Sequence, residues 1–156
     1  MAIHTLQTRQ IIPVHTRACW QFFSDPRNII RITPKKLSFE ILSEVPARIY
    51  PGLMIRYRVR PVFGVPLTWL TEITHVEEPE MFVDEQRWGP YRIWHHEHHF
   101  KSLDDDRTEM IDTVTYQLPF MPLSELVHRP LIRKKLDEIF SYREQTVRKI
   151  FGAGPK

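Results

Sequence analysis

The sequence predicts an α+β domain in which a curved antiparallel sheet of about seven strands wraps a long C-terminal helix, with two short helices after the first strand. Three observations predict it. Apolar residues recur with a period of two from residue 37 to residue 117, then switch to a helical period beyond the Pro119–Pro122 cluster. The connections between the period-two runs are short and rich in Pro, Gly and Asp, which suits hairpins and excludes the long crossovers of a parallel sheet. The last segment carries one apolar stripe long enough to lie across a whole sheet.

The first strand is expected from Ile3 to Ile12, ending at Pro13. Ala18, Cys19, Phe22 and Phe23 then recur at helical spacing within His15–Ser24, and Asp25-Pro26 stops that helix. A second short helix, Arg27–Arg31, ends near Thr33-Pro34. Strands follow at Ser38–Val45, Leu53–Pro61, Leu67–Val76, Met81–Arg87, Tyr91–Leu103 and Thr108–Leu118. Pro51-Gly52, Phe63-Gly64-Val65-Pro66, Glu77-Glu78-Pro79, Gly89-Pro90 and Asp104-Asp105-Asp106 connect them.

In the final helix Leu131, Ile132, Leu136, Ile139, Phe140, Val147 and Ile150 trace one stripe. Arg133, Lys134, Lys135, Arg143, Arg148 and Lys149 largely lie elsewhere. Pro130 suits its first turn, and Ser124 is placed as the cap of a separate short turn before it. From Pro130 to Phe151 the helix spans about 33 Å. A meander with one polar face buries the other by curling around this helix, and strong curvature leaves a cavity between them. Residues 1–151 are expected to form a single ligand-binding domain and 152–156 a flexible tail.

Composition restricts the function classes. A chain of 156 residues is long enough for one buried core. The net charge of +3 is modest and does not by itself call for nucleic acid. Four Trp and nine Phe supply the means to line a sizeable apolar pocket. The lone Cys19 excludes an intramolecular disulfide and fits a reducing compartment. Met1–Leu6 has no basic stretch ahead of an apolar run, and no apolar run approaches the roughly 20 residues of a membrane span. A cytoplasmic protein is expected.

The most informative stretch is Gly89 to Phe100. With a period of two, Trp94, His96, His98 and Phe100 share one face, and Ile93, His95, Glu97 and His99 share the other. Two imidazoles between large aromatic rings suit a partly apolar enclosure. Opposite them the adjoining strands offer Met110, Asp112, Val114, Tyr116 and Leu118 on one side. On the other they offer Phe82, Asp84, Gln86 and Trp88, then Trp69, Thr71 and Ile73. Tyr57 faces inward with Ile55 and Val59, and Ile139 comes from the helix. The predicted cavity wall is therefore aromatic and aliphatic with a polar seam of Asp84, Gln86, His96, His98 and Asp112. A carboxylate beside an imidazole in such a place fixes the tautomer and raises the ring's basicity. This suits an anchor for a polar ligand head or a satisfied structural network, and it also suits an acid/base pair.

A metal is not expected. His96 and His98 are spaced to share an ion, but a further ligand is missing after Phe100 and His128 belongs to the helical region. No cofactor is implied, since the five Gly are scattered and form no phosphate loop. Arg56, Arg58 and Arg60 alternate with Ile55, Tyr57 and Val59 and read as a solvated face, with no nucleic-acid motif. Cys19 reads as core.

Particular strings resemble the SRPBCC superfamily (START, Bet v 1-like and polyketide cyclase proteins of helix-grip fold). They are Asn28-Ile29-Ile30-Arg31-Ile32-Thr33-Pro34, Leu37-Ser38-Phe39-Glu40-Ile41, Gly64-Val65-Pro66-Leu67-Thr68-Trp69 and Phe82-Val83-Asp84-Glu85-Gln86. Gly89 to Phe100, Asp112-Thr113-Val114-Thr115-Tyr116 and Ile139-Phe140-Ser141-Tyr142-Arg143 complete the set. The resemblance covers almost the whole chain and looks closest to small bacterial ligand-binding SRPBCC-domain proteins. It implies a fold and leaves the reaction open, because the superfamily holds carriers, receptors and enzymes.

The expected function is binding or carriage of an apolar small molecule such as a lipid, isoprenoid, polyketide or aromatic metabolite. The alternative is a cyclase/dehydratase-like enzyme with His96, His98 and Asp112 as catalytic candidates. The resemblance alone also suggests a regulatory module beside an epimerase-type enzyme. The partners expected are a hydrophobic small molecule and, at most, a second copy in a weak homodimer, with no nucleic acid and no membrane insertion. The expected ligand-binding residues are Tyr57, Trp69, Thr71, Phe82, Asp84, Gln86, Trp94, His96, His98, Phe100, Asp112, Val114, Tyr116 and Ile139.

Overall fold

The computed structural model describes residues 2–61, 64–119 and 128–152. In chain order these form β1 (His4–Ile12), α1 (Thr16–Phe23), 3₁₀ turns at Pro26–Ile32 and Lys35–Leu37, and β2 (Glu40–Ile41). Then come β3 (Met54–Val59), β4 (Leu67–Glu77), β5 (Met81–Trp88), β6 (Ile93–Asp104) and β7 (Arg107–Gln117). A wide π-type turn, His128–Arg133, leads into the long helix α2 (Lys134–Phe151). The strands make one seven-stranded antiparallel sheet in the order β1-β7-β6-β5-β4-β3-β2, so β1 closes the meander beside β7. This is the expected helix-grip architecture.

Local chemistry explains the element ends. Asp25 accepts from the Arg27 backbone N–H at 3.0 Å and opens the first 3₁₀ turn, with Pro26 at the position where no N–H is needed. Gln86 holds the hairpin between β5 and β6. Its Nε2 donates to Tyr91 O at 2.6 Å, and its Oε1 accepts from Tyr91 N at 3.2 Å. A Cβ at Gly89 would lie 2.4 Å from that Oε1, so a larger residue there would push the Gln86 amide out of its place in the hairpin.

Three expectations are corrected. The strand foreseen at Ser38–Val45 contracts to Glu40–Ile41. Ser38 takes a left-handed conformation (φ 45°) at the end of the turn before it, and Ser43 Oγ accepts the Arg56 N–H at 3.0 Å, replacing a ladder bond. Trp88 does not face inward. A bulge shifts the register so that Thr71 pairs with Gln86 but Leu70 pairs with Trp88, which turns Trp88 to the outer face, 69% exposed. Pro130 falls within the wide turn, and the regular helix begins at Lys134. The Ser124 cap and the tail beyond Gly152 lie outside the described residues.

Two packed clusters hold α2 against the sheet. Toward its start, Leu136 and Phe140 pack with Leu6, Val114 and Tyr116. Toward its end, Val147, with Ile150 and Phe151, joins Ile12, Trp20, Phe82, Phe100 and Met110. Trp20 meets Phe82 and Phe100 edge-on, each at 5.9 Å between ring centroids. Arg56 and Arg58 are exposed while Ile55, Tyr57 and Val59 are buried, as the alternation predicts.

Phe140 is buried but borders open space on one side. Phe140→Ala is expected to cost about 3 kcal/mol in urea unfolding, the low end of the usual range for such truncations. A loss below about 1 kcal/mol would show that the ring is not packed core.

Candidate functional site

A cavity of about 450 Å³ lies between the curved sheet, the 3₁₀ turns and α2. Of the expected ligand-binding residues, Tyr57, Trp69, Thr71, Phe82, Asp84, Trp94, His96, His98 and Ile139 line it. The others do not. Gln86 is committed to the hairpin, and Phe100 is packed against Trp20 and Phe82. Val114 and Tyr116 are fully buried beneath Leu136 and Phe140. Asp112 sits behind the imidazoles, away from the open space, and acts on the wall through them.

Register builds the polar wall. On β6, His96 pairs with Asp84 of β5, and His98 pairs with Asp112 of β7. The rings of His96 and His98 lie 3.8 Å apart between centroids, and Phe82 stacks on His98 at 4.1 Å. His98 Nε2 is 2.8 Å from Asp84 Oδ2, and His98 Nδ1 is 2.8 Å from Asp112 Oδ1. The first contact is an aligned hydrogen bond; the second is a close ion contact without hydrogen-bond alignment. His96 Nε2 reaches Asp112 Oδ1 at 3.2 Å, and His96 Nδ1 lies 3.5 Å from Asp84 Oδ2. Two imidazoles therefore converge on one oxygen of each carboxylate.

A fifth member comes from α2. Arg143, expected on the solvent side, faces inward with its side chain 12% exposed and Nη1 3.8 Å from Asp112 Oδ2. It lies over the Phe140 ring at 4.9 Å, lines the cavity, and its buried Nε has no hydrogen-bond partner. The signal was present: Leu136, Phe140, Arg143 and Val147 follow the helical stripe, and only the charge of Arg143 argued against an inward position. The 3₁₀ turns also contribute Ile29 and Ile32, which lie outside the period-two pattern, and Leu37 at its start.

The charges settle one another. Burial works against ionising Asp112, but His96, His98 and Arg143 outweigh it and hold its carboxyl well below the usual range. Burial likewise opposes the Asp84 carboxylate, and the two imidazoles with Arg143 still hold it low. For His98 burial favours the neutral ring, yet its contacts with Asp112 and Asp84 raise its pKa above that of ordinary histidine. His96 is lowered by burial and then by the charge of His98. Two carboxylates thus face the Arg143 guanidinium and a His98 ring biased toward its charged form, while His96 is biased toward the neutral one. Burial also pushes the Cys19 thiol up to about 12, which removes it as a nucleophile.

Outside the wall, His95 meets Glu85 at 2.9 Å and Glu97 at 3.2 Å, and His99 meets Glu97 at 2.9 Å, all at the half-exposed outer surface. Among the described residues, Asp84, His96 and His98 bring possible ligand atoms within 4.8 Å of one another. Asp84 is the third donor that the spacing within β6 alone does not reveal. No helix among the described residues is long and apolar enough to cross a membrane.

Comparison with known proteins places this geometry. The chain matches the family model described as polyketide cyclase / dehydrase and lipid transport over residues 12–140. No curated protein matches it in sequence. Among solved structures, a START superfamily protein from Mycobacterium smegmatis superposes with a TM-score of 0.69 at 13% identity, covering 94% of this chain and 99% of that one. The Zhui aromatase/cyclase from Streptomyces sp. R1128 gives 0.68 at 15% identity, covering 99% and 100%. Ginseng major latex-like protein 151 from Panax ginseng gives 0.66 at 10% identity, covering 96% and 97%. At these identities the likeness establishes the fold.

Two outcomes follow from the charge arrangement. In the metal-free protein, ¹⁵N imidazole spectra should show His98 still protonated above the ordinary histidine range, while His96 stays neutral below it. The stability His98 contributes is present below about pH 6.5 and is lost as pH rises through its raised folded pKa. The stability Asp112 contributes is present above about pH 3.9 and is lost as pH falls through its lowered folded pKa. A reversed order of the two histidines would refute this proton placement. Asp112→Asn should cost about 1–3 kcal/mol in thermal or urea unfolding, because it strands a buried imidazole donor.

Proposed function

We propose, from the premise that this chain belongs to the polyketide cyclase / dehydrase and lipid transport family of the SRPBCC superfamily, that it binds or carries an apolar small molecule bearing one polar group. Residues 1–151 serve as one binding unit. The observation that carries the reading is the cavity itself, about 450 Å³ with walls of Tyr57, Trp69, Phe82, Trp94 and Ile139 and a buried polar wall on β5 and β6. A volume in this range suits a small organic ligand, and few convergent polar groups among aromatic walls fix orientation more than they add affinity. The ligand class is a polyketide, isoprenoid, lipid or aromatic metabolite. Its hydroxyl or carbonyl lies against His96, His98 and Asp84, and its apolar body lies among the aromatic side chains. The ligand is taken up from the cytoplasm, and nucleic acid has no part in the reading.

One observation favours a second reading. His98, biased toward its charged form by two carboxylates, and His96, biased toward the neutral one, stand side by side at the cavity wall as an acid and a base. A bound β-hydroxy ketone could give its α-proton to His96 while His98 protonates the β-hydroxyl, which leaves as water. Turnover of such a compound, lost in His98→Gln with binding retained, would favour the enzyme over the carrier.

Native mass spectrometry of freshly purified protein should detect an organic molecule of one defined mass. In parallel, a fluorescent apolar probe and its hydroxylated analogue are titrated into parent, Asp112→Asn and His98→Gln proteins. The hydroxylated analogue should weaken about tenfold in both variants, with the apolar probe nearly unchanged. Equal losses for both probes would remove the orienting role, and no binding of either to the parent would remove the cavity reading.

A further inference from the structure

The convergence of Asp84, His96 and His98 on one point has a chemistry that ligand orientation does not require. We propose that these three side chains form a binding site for a divalent transition metal of the Zn²⁺ class, with Asp84 Oδ2, His96 Nδ1 and His98 Nε2 as ligands and the remaining position open to the cavity.

Distances support the donor set. Three ligands at about 2.0–2.1 Å around a tetrahedral ion stand about 3.3 Å from one another. The two oxygen–nitrogen separations here are 2.8 Å for His98 Nε2 and 3.5 Å for His96 Nδ1, on either side of that value. Both nitrogens approach the same oxygen, Asp84 Oδ2, from neighbouring positions on one strand face. Small shifts of three side chains would admit an ion, with no change in the backbone. An imidazole-rich set with one carboxylate suits Zn²⁺ and its neighbours rather than Mg²⁺ or Ca²⁺.

The surroundings provide what such a site needs beyond its ligands. Each histidine turns its other nitrogen toward Asp112 Oδ1, at 3.2 Å for His96 Nε2 and 2.8 Å for His98 Nδ1. For His96 the Nε2 contact with Asp112 is an aligned hydrogen bond, which fixes the tautomer that leaves Nδ1 as the metal-facing lone pair, and a small turn of the His98 ring would let Asp112 do the same for it. His98 Nδ1 is buried and lacks an aligned hydrogen bond, so the apo arrangement leaves it incompletely satisfied. The side chains of His96 and His98 are 5% and 8% exposed, whereas Asp84 and both imidazoles border the cavity. The site is closed to bulk solvent on the strand side and open on the ligand side.

Formal charge indicates what would take the open position. With both imidazoles neutral, Asp84, Asp112 and Arg143 sum to one negative charge, and a divalent ion takes the group to one positive charge. An anionic oxygen, from water that has lost a proton or from a ligand's enolate or carboxylate, restores neutrality. Arg143, already at the cavity wall, adds to the attraction for such an oxygen. The site stands independently of the proposed ligand, because it is built from three side chains and can be tested with the metal alone.

The test uses the full chain without an affinity tag, stripped by chelator and titrated separately with Zn²⁺ and Co²⁺. One ion per chain is expected, with a dissociation constant on the order of 1 µM or tighter. Co²⁺ should give the visible spectrum of a four-coordinate ion. On adding Zn²⁺ to unmodified protein, the ¹⁵N resonances of His96 Nδ1 and His98 Nε2 should move, and those of exposed His95 and His99 should not. Asp84→Asn should weaken binding at least tenfold, and Asp112→Asn should weaken it about 10–100-fold with one site retained. A His95→Gln, His99→Gln double variant should bind as the parent does. The spectra of the unmodified protein decide the matter even if Asp84→Asn fails to fold. Absence of one-to-one binding, or binding that vanishes with the His95 and His99 variants, would overturn the proposal. So would coordination through His96 Nε2 and His98 Nδ1, since that would seat the ion at Asp112 instead.

Discussion

The structure depends on one constraint: two carboxylates inside an apolar interior must be matched in charge and geometry at every contact. Asp84 and Asp112 lie on strands either side of β6; Asp112 is buried away from water and Asp84 is exposed only toward the cavity. Isolating either charge would cost several kcal/mol, more than any single aromatic contact in the core supplies. His98 answers both carboxylates at once, with one nitrogen 2.8 Å from each. Arg143 then balances the remaining charge from the facing helix. The sheet and α2 are thus coupled electrostatically between their two apolar clusters, Leu136 and Phe140 on one side and Val147 on the other. Removing one partner leaves an uncompensated buried charge, so these five residues act as a unit and not as separate contacts.

That unit exists only in one strand register. A slip of β6 by one residue against β5 and β7 would bring His95, Glu97 and His99 inward and place Glu97 among the buried carboxylates. The acidic interior would then gain a negative charge, and its two imidazoles would stand four residues apart with Glu97 between them instead of side by side. Outward, the same residues pair harmlessly with Glu85 and with one another at the half-exposed surface. The alternation of the β6 sequence therefore encodes register through charge as well as through apolarity. This selects one pairing more sharply than aromatic residues alone would.

Much of this was legible in the sequence, and the reasons for the exceptions are physical. Period-two alternation located five of the strands to within a few residues, because half-buried strands need it, and it put His96, His98, Asp84 and Asp112 on one inner surface. Short connections gave the antiparallel order. At Ser38–Val45 the pattern misleads because a serine hydroxyl can replace a ladder bond without altering the apolar alternation. At Trp88 it misleads because a bulge changes parity at a point that no residue type announces. Arg143 is hidden for a different reason. A charged residue on an apolar stripe is read as solvent-facing unless the charge waiting inside is known, and that charge sits on strands far away in sequence.

The same constraint bears on what the cavity can do. Strands β5 and β6 carry their imidazoles and Asp84 at the boundary between packed core and open space, while Asp112 and the clustered side chains of β7 lie behind. Anything that enters and changes the charge at that boundary, by a proton, an ion or an anionic oxygen, also changes the balance that joins the sheet to α2. Occupancy of the site and stability of the fold are therefore linked functions. A purely apolar occupant would leave this balance untouched and be held by its shape and apolar surface alone. An occupant with a charged or strongly polar end would act on it through His98 and Arg143. On the proposed reading, two molecules of equal bulk would then be distinguished by the group at one end.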